Sequence, residues 1–188
     1  MKPFKNILIY QFDEPFTLTA HELESQLSAH PLRECGRDEL ETYGWLPAFS
    51  QGQNFIEEAN GAFFIRLGME QKKVPRLAIK TAVEKRAREQ EIDISTRARY
   101  KEVEEIIIDE LVAKAFPEQS SMMAYIDASK GWLVVDATSE KKASTLTAVL
   151  RKTLGSLPVT GFAPQVELPM VMTHWVRSGL PSEHFAFL

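Results

Sequence analysis

The dipeptide Asn60-Gly61 sits between two short apolar runs, Phe55 to Ala59 and Ala62 to Leu67. A two-residue link of this composition favours a type I′ turn, where both central positions need positive φ and the turn twist matches that of paired strands. The spacing predicts a β-hairpin. Ala62-Phe63-Phe64-Ile65 is apolar at consecutive positions, so both faces of that strand demand cover. A chain with such a hairpin is held to layers, a sheet with other elements packed on it.

Other segments supply the rest of the sheet. Phe4 to Phe12 reads as a strand with Ile7, Ile9 and Gln11 on one face and Leu8, Tyr10 and Phe12 on the other. Its apolar character on both faces makes it interior, and Pro15 ends it. Met122 to Asp127 and Trp132 to Asp136 form a second hairpin about Ser129-Lys130-Gly131. Leu157-Pro158-Val159 and Val166 to Met172 are short strand candidates. The chain then runs through Trp175 to His184-Phe185-Ala186-Phe187-Leu188, an apolar end that looks cut short, because exposed termini are usually polar. Residues 32–54 are punctuated by Gly36, Gly44, Pro47 and Gly52, with one helical turn expected at Asp38-Glu39-Leu40. Trp45 reads as a core anchor beside a turn, with stacking on a base or sugar as the competing role.

Helix signals alternate with these strands. Thr19 and Glu22 make a capping box, with Leu18 and Leu23 as its hydrophobic staple. That helix runs to about Ala29, buries Leu23 and Leu27, and stops at Pro31. After Pro75, Arg76 to Glu91 carries a narrow apolar face of Leu77, Ile79, Ala82 and Val83. A second helix, starting near Asp93 or Ser95, places Tyr100, Val103, Ile107 and Leu111 three and four apart and ends at Phe116-Pro117. The pair reads as a projecting helical hairpin and, being lean in apolar residues, as the least stable part of the fold. Last, Thr138 or Ser139 caps a helix whose stripe is Ala143, Leu146, Val149, Leu150 and Leu154, with Gly155 at its C-cap. The expected fold is α/β (α+β): a mostly antiparallel sheet domain from 1–74 and 118–188, and a helical arm at 75–117.

The chemistry such a fold could carry is limited. The single Cys35 allows no intrachain disulfide and no cysteine zinc cluster, and reads as a small, partly buried apolar residue. His21, His30, His174 and His184 are scattered without the i, i+4 spacing of a helical zinc site. No phosphate-cradling loop, nucleotide fingerprint or Gly-x-Ser-x-Gly elbow occurs, so neither metal nor cofactor is expected. Asp127 and Asp136 both end strands of one hairpin, where their carboxylates could approach, although turn and cap roles are commoner for strand-end aspartates. No apolar run approaches the ~20 residues that span a bilayer. The N-terminal MKPFKNILIYQF is interrupted at Gln11, followed by Asp13-Glu14 and without a small-residue cleavage site, so it reads as a strand of a cytoplasmic protein.

Charge is what remains. The net charge of −4 resolves into −6 over residues 1–60, +3 over 61–155 and −1 over 156–188. Lys72, Lys73, Arg76, Lys80, Lys85, Arg86 and Arg88 run through the first arm helix and its approach, where acidic neighbours nearly cancel them. Lys141, Lys142, Arg151 and Lys152 on the later helix are opposed by Glu140 alone. Lys141 to Lys152 spans about 16 Å at ~1.5 Å per residue, enough to meet several phosphates. A solvated helix face is the competing reading.

Short motifs stand in order along the chain: Phe4-Lys5-Asn6, Gly44-Trp45-Leu46-Pro47, Ala59-Asn60-Gly61, Lys114-Ala115-Phe116, and Met122-Met123 before Ile126-Asp127. They are densest at Lys141-Lys142-Ala143, Leu150-Arg151-Lys152, Leu154 to Val159 and Trp175-Val176-Arg177-Ser178-Gly179. In order and spacing the chain resembles the bacterial recombination-associated protein RdgC family over nearly its whole length. The resemblance implies a non-enzymatic DNA-binding protein, a head-to-head homodimer shaped like a ring with duplex passing through a positively lined hole. It implies binding with little sequence preference, restraint of the strand-exchange recombinase by occupying DNA, and a cytoplasmic, nucleoid-associated location. Phe116, at the tip of the arm, matches a position where the family's subunits meet, with core packing as the competing reading. Family members run on beyond the point where this chain stops, which leaves ring closure open.

Duplex DNA binding is then expected through Lys72, Arg76, Lys80, Arg86, Lys141, Lys142, Arg151 and Lys152. A protein–protein module whose arm grips another chain is the alternative. A hydrolase built on Asp127 and Asp136 is the outsider.

Overall fold

The structure, a computed structural model, describes residues 4–49, 52–163 and 168–179. The strands are β1 (Ile7–Phe12), β2 (Glu41–Leu46), β3 (Ile56–Ala59), β4 (Ala62–Lys72), β5 (Pro117–Asp127), β6 (Trp132–Asp136) and β7 (Val159–Gly161). The helices are α1 (Ala20–Ser28), α2 (Arg76–Glu89), α3 (Arg97–Val112), α4 (Glu140–Leu154) and α5 (Leu168–Ser178). All the strands join one antiparallel sheet in the order β2-β4-β5-β6-β1-β7. β3 pairs with the first half of β4 and β2 with the second, so two short strands share one edge of a long one. The α+β expectation holds.

The spine of the sheet is β4 against β5, paired from Ala62 and Asp127 to Lys72 and Pro117. Both strands run five residues further from their turns than the apolar runs indicate, because their outer halves carry polar residues such as Glu70, Gln71, Glu118 and Gln119. The Asn60-Gly61 turn has φ of 53° and 75°, the geometry that favours Asn-Gly. β2 replaces the irregular segment expected there, and residues 37–40 form a turn and not a helix. Gly44 explains why β2 escapes a hydrophobic pattern. A Cβ there would lie 2.4 Å from the backbone of Leu32, which pairs with β2 through Leu32 N–H to the Trp45 carbonyl at 2.8 Å.

One face of the sheet is covered by α1 and α4. Leu23 and Leu27 from α1 and Ala143, Leu146 and Leu150 from α4 are buried against Ile65, Leu67, Ile126, Leu133 and Val135. Burying a Leu or Val side chain contributes ~1.5–3 kcal/mol, so this layer dominates stability. α1 begins at the expected capping box, Thr19 with Glu22, which removes two unpaired donors. Glu24 in the same helix accepts from the backbone N–H of Phe55 and Ile56 at 2.9 and 2.8 Å, tying α1 to the start of β3.

α2 and α3 form a hairpin inserted between β4 and β5, with its own small cluster of Val83, Val103 and Ile107. The cap of α3 is Thr96, one residue beyond the expected positions, while Asp93 binds the Ser95 N–H at 2.9 Å. α3 ends at Val112, four residues short of Phe116. The strand expected at Val166 to Met172 is overturned by α5, since Met172, Trp175 and Val176 recur at helical spacing. Residues 164–167 and 180–188, including His184 to Leu188, lie outside the described residues.

Candidate nucleic-acid interface

α4 is anchored on three sides. Ser139 caps it by accepting from the Lys142 N–H, its apolar stripe enters the core, and Trp45 donates its indole N–H to Thr153 at 2.9 Å. The face opposite that stripe is therefore fixed toward solvent. At 100° per residue, Lys141, Thr145, Ala148 and Lys152 fall on one line opposite Leu146 and Leu150. Lys142 and Arg151 flank this line on opposite sides. Lys142 turns toward β5 and lines a cavity there, while Arg151 leans on the Leu157 carbonyl at 3.4 Å.

Compensation separates the two basic sets. Among the described residues, Lys141, Lys142 and Lys152 have no ion-pair partner. On α2, Lys80 meets Glu84 at 3.9 Å, Lys85 meets Glu89 at 3.8 Å and Arg86 meets Glu110 at 2.7 Å. The Arg86 guanidinium donates to both Glu110 oxygens and, chiefly through that hydrogen bond, holds the Glu110 carboxyl below its usual range. Arg76, in the first turn of α2, is exposed and has no ion-pair partner among the described residues. Positive charge on α4 is open to an incoming anion, and most of that on α2 is already neutralised by a neighbour.

Lys72 departs from expectation outright. It is 6% exposed, and its ammonium donates to the Gly36 and Arg37 carbonyls at 2.6 and 2.7 Å. It pins the 33–39 loop, which is also closed by a bidentate Arg33–Glu39 pair. A buried cation committed to two carbonyls is not on a DNA-facing surface, and Lys72 leaves the candidate set.

Phe116 is 92% exposed, against the core-packing reading, but it is not at the arm's tip. The tip is the α2–α3 turn near residues 90–96, and Phe116 lies at the base where the chain re-enters β5. The aspartate pair also separates. Asp127 faces Trp132 across the hairpin and Asp136 lies at the far end of β6, about 13 Å away at ~3.3 Å per residue. Asp127 accepts from the Ser129 hydroxyl at 2.7 Å, which with the Lys130 N–H lowers its pKa. Asp136 accepts from the N–H groups of Lys5 and Asn6. Both carboxylates hold turns and strand ends.

Sequence reasoning missed the low ground between the two outward lysines. Thr145 and Ala148 fill it with short side chains, and the Thr145 hydroxyl folds back onto the Lys141 carbonyl at 3.1 Å. These short side chains leave the helix surface low between the two lysines. The i, i+4, i+7, i+11 spacing of Lys141, Thr145, Ala148 and Lys152 was the available signal. Among the described residues no three metal-ligating side chains come together. No helix among them is long and apolar enough to cross a membrane.

Known proteins share this sequence pattern. A family model described as "RdgC: Putative exonuclease, RdgC" matches residues 3–188. Relatives named "Recombination-associated protein RdgC" from Salmonella typhimurium, Salmonella typhi and Salmonella newport are each 34% identical over 189 residues. The match takes in 98% of this chain and 62% of each relative, so the chain spans less than two thirds of the relatives' length.

Proposed function

The chain belongs to the RdgC family, and from that membership we propose that it binds duplex DNA without sequence preference and restrains recombinase-driven recombination by occupying the DNA. One observation carries the DNA reading: α4 presents Lys141 and Lys152 on an outward line, neither with an ion-pair partner among the described residues. Lysine contacts to phosphates position a protein on DNA and read no bases. A net charge of −4 is no obstacle, since only the face that meets DNA need be positive. Lys142 and Arg151 flank this line, and Arg76 is a further cation without an ion-pair partner on α2, while Lys80 and Arg86 contribute less because each already faces a carboxylate. Binding of this kind associates the protein with the cytoplasmic nucleoid.

The family description names an exonuclease, and its relatives' name a recombination-associated protein. We favour binding without catalysis, because Asp127 holds the β5–β6 turn while Asp136, at the far end of β6, holds the backbone that leads into β1. The exposed Phe116 supports self-association into a homodimer, an aromatic being a common anchor at such contacts. A protein–protein module is the second reading, favoured by Leu77, 75% exposed on α2, in addition to Phe116.

The test is duplex affinity measured from low to physiological salt. Steep weakening with salt, reduced in the double variant Lys141→Glu, Lys152→Glu, supports the reading. A folded protein that binds no duplex at low salt overturns it in favour of the protein–protein module.

A further inference from the structure

A cavity of about 210 Å³ opens beside the first turn of α4, over the outer halves of β4 and β5. Tyr43, Leu67, Met69 and Met122 line it together with Ser120, Thr138, Lys142 and Asp136, whose carboxylate accepts from the Lys5 and Asn6 N–H groups. It is smaller than the ~300–1,000 Å³ pockets that enclose drug-sized ligands, which leaves room for one ring system. Methionine walls conform to flat surfaces of varied outline. Hydroxyls both donate and accept, so they satisfy the polar edge of different rings without selecting among them. The Lys142 ammonium, with no ion-pair partner among the described residues, brings positive charge to the mouth.

We propose that this cavity receives one unstacked nucleobase of a single strand, with the adjoining phosphate held by Lys142. The inference rests on the nucleic-acid reading above and deepens it. Flat apolar faces and a polar edge are the chemistry of a base, which the apolar lining and the hydroxyls complement, while Lys142 offers the adjoining phosphate a cation. A paired base stacked inside a duplex cannot enter, so the site acts on single-stranded segments, gaps and ends. The outward line of α4 continues to track the backbone beside it.

The experiment uses the full chain, a duplex, and single strands of the same sequence carrying 2-aminopurine, whose fluorescence reports unstacking. Ser120→Trp closes the mouth from an exposed position. It is expected to weaken single-strand binding about five- to tenfold, the lower end of what one stacked base contributes, and to abolish the fluorescence change. Duplex binding is expected to stay unchanged. Lys142→Ala, which keeps the walls, should weaken single-strand binding while the fluorescence change persists. Wild-type protein should lose a similar factor on strands whose bases are replaced by abasic sites, a measurement independent of the variant's folding. Unaltered single-strand binding in Ser120→Trp, with duplex binding intact, overturns the cavity assignment alone. A change in self-association by sedimentation, without a change in strand binding, gives the cavity to a protein contact and also overturns it. Failure of wild type to bind any polynucleotide removes the functional reading itself.

Discussion

The Trp45 indole N–H donates to the Thr153 hydroxyl at 2.9 Å, joining β2 to the last turn of α4 across 108 positions of sequence. Thr153 in turn donates to the Val149 carbonyl at 3.0 Å, so the hydroxyl serves two partners. Trp45 is 1% exposed, which leaves its N–H no access to water. Thr153→Val keeps the volume and removes the acceptor. The unpaired buried donor should cost ~1–3 kcal/mol, read as a lower denaturant midpoint with an unchanged m-value. A midpoint equal to wild type would mean that packing alone holds α4 to β2.

Gly44 makes the complementary point with backbone. Its ideal Cβ would sit 2.4 Å from both the N and the Cα of Leu32, a clash that no rotamer change relieves. Gly44→Ala must therefore push the Pro31–Leu32 segment off β2 and break its pairing with Trp45. The expected loss is at least ~2 kcal/mol, at the upper side of ordinary overpacking, with amide protection falling first at Leu32 and Trp45. An alanine variant as stable as wild type would contradict the close approach.

These two residues also mark where sequence stopped being informative. The Asn60-Gly61 turn, the Thr19–Glu22 box and the stripe of α4 were legible because each is local, written within a few positions of itself. β2 was not, because Gly44 and Thr42 serve the Pro31–Arg33 segment earlier in the chain and so break the alternating pattern. Lys72 looked like any surface lysine, since the carbonyls that accept its hydrogen bonds come from a loop 35 and 36 residues earlier. Lys80 and Lys141 were already distinguishable, because acidic neighbours nearly cancel the arm's basic residues, as in the i, i+4 pair of Lys80 with Glu84. Only the placement of acids distinguishes a paired cation from an open one, and for Arg86 the acid lies on a different helix.

That distinction predicts unequal effects on DNA binding. Replacing Lys141 and Lys152 by Gln should weaken duplex binding uniformly across sequences and make the salt slope shallower by about two, one for each phosphate no longer neutralised. The same change at Lys80 and Lys85 should shift the slope far less, because Glu84 and Glu89 already neutralise those groups. Isothermal or fluorescence titrations at several salt concentrations measure both slopes. Equal slopes in the two variants would return the arm to the DNA face.

Acid should loosen the helical hairpin before the sheet. Glu110 titrates below its ordinary value of 4.5 in the folded protein because Arg86 hydrogen-bonds its charged form. The unfolded chain therefore binds more protons over this range, and the stabilisation present above the unfolded value is lost as pH falls through the folded one. Glu39, brought down to about 2 by Arg33 and the Gly36 N–H, has the same sign but guards the 33–39 loop. As pH falls below 4.5, amide protection at Val83 and Val103 should fall while that at Ile126 and Leu133 persists, since the hairpin has only its small cluster to hold it. Glu110→Gln has no carboxylate to protonate, so its hairpin should be less protected at pH 7 and change less on acidification. A profile parallel to wild type in that variant would show that the Arg86–Glu110 pair is not what couples the hairpin to pH.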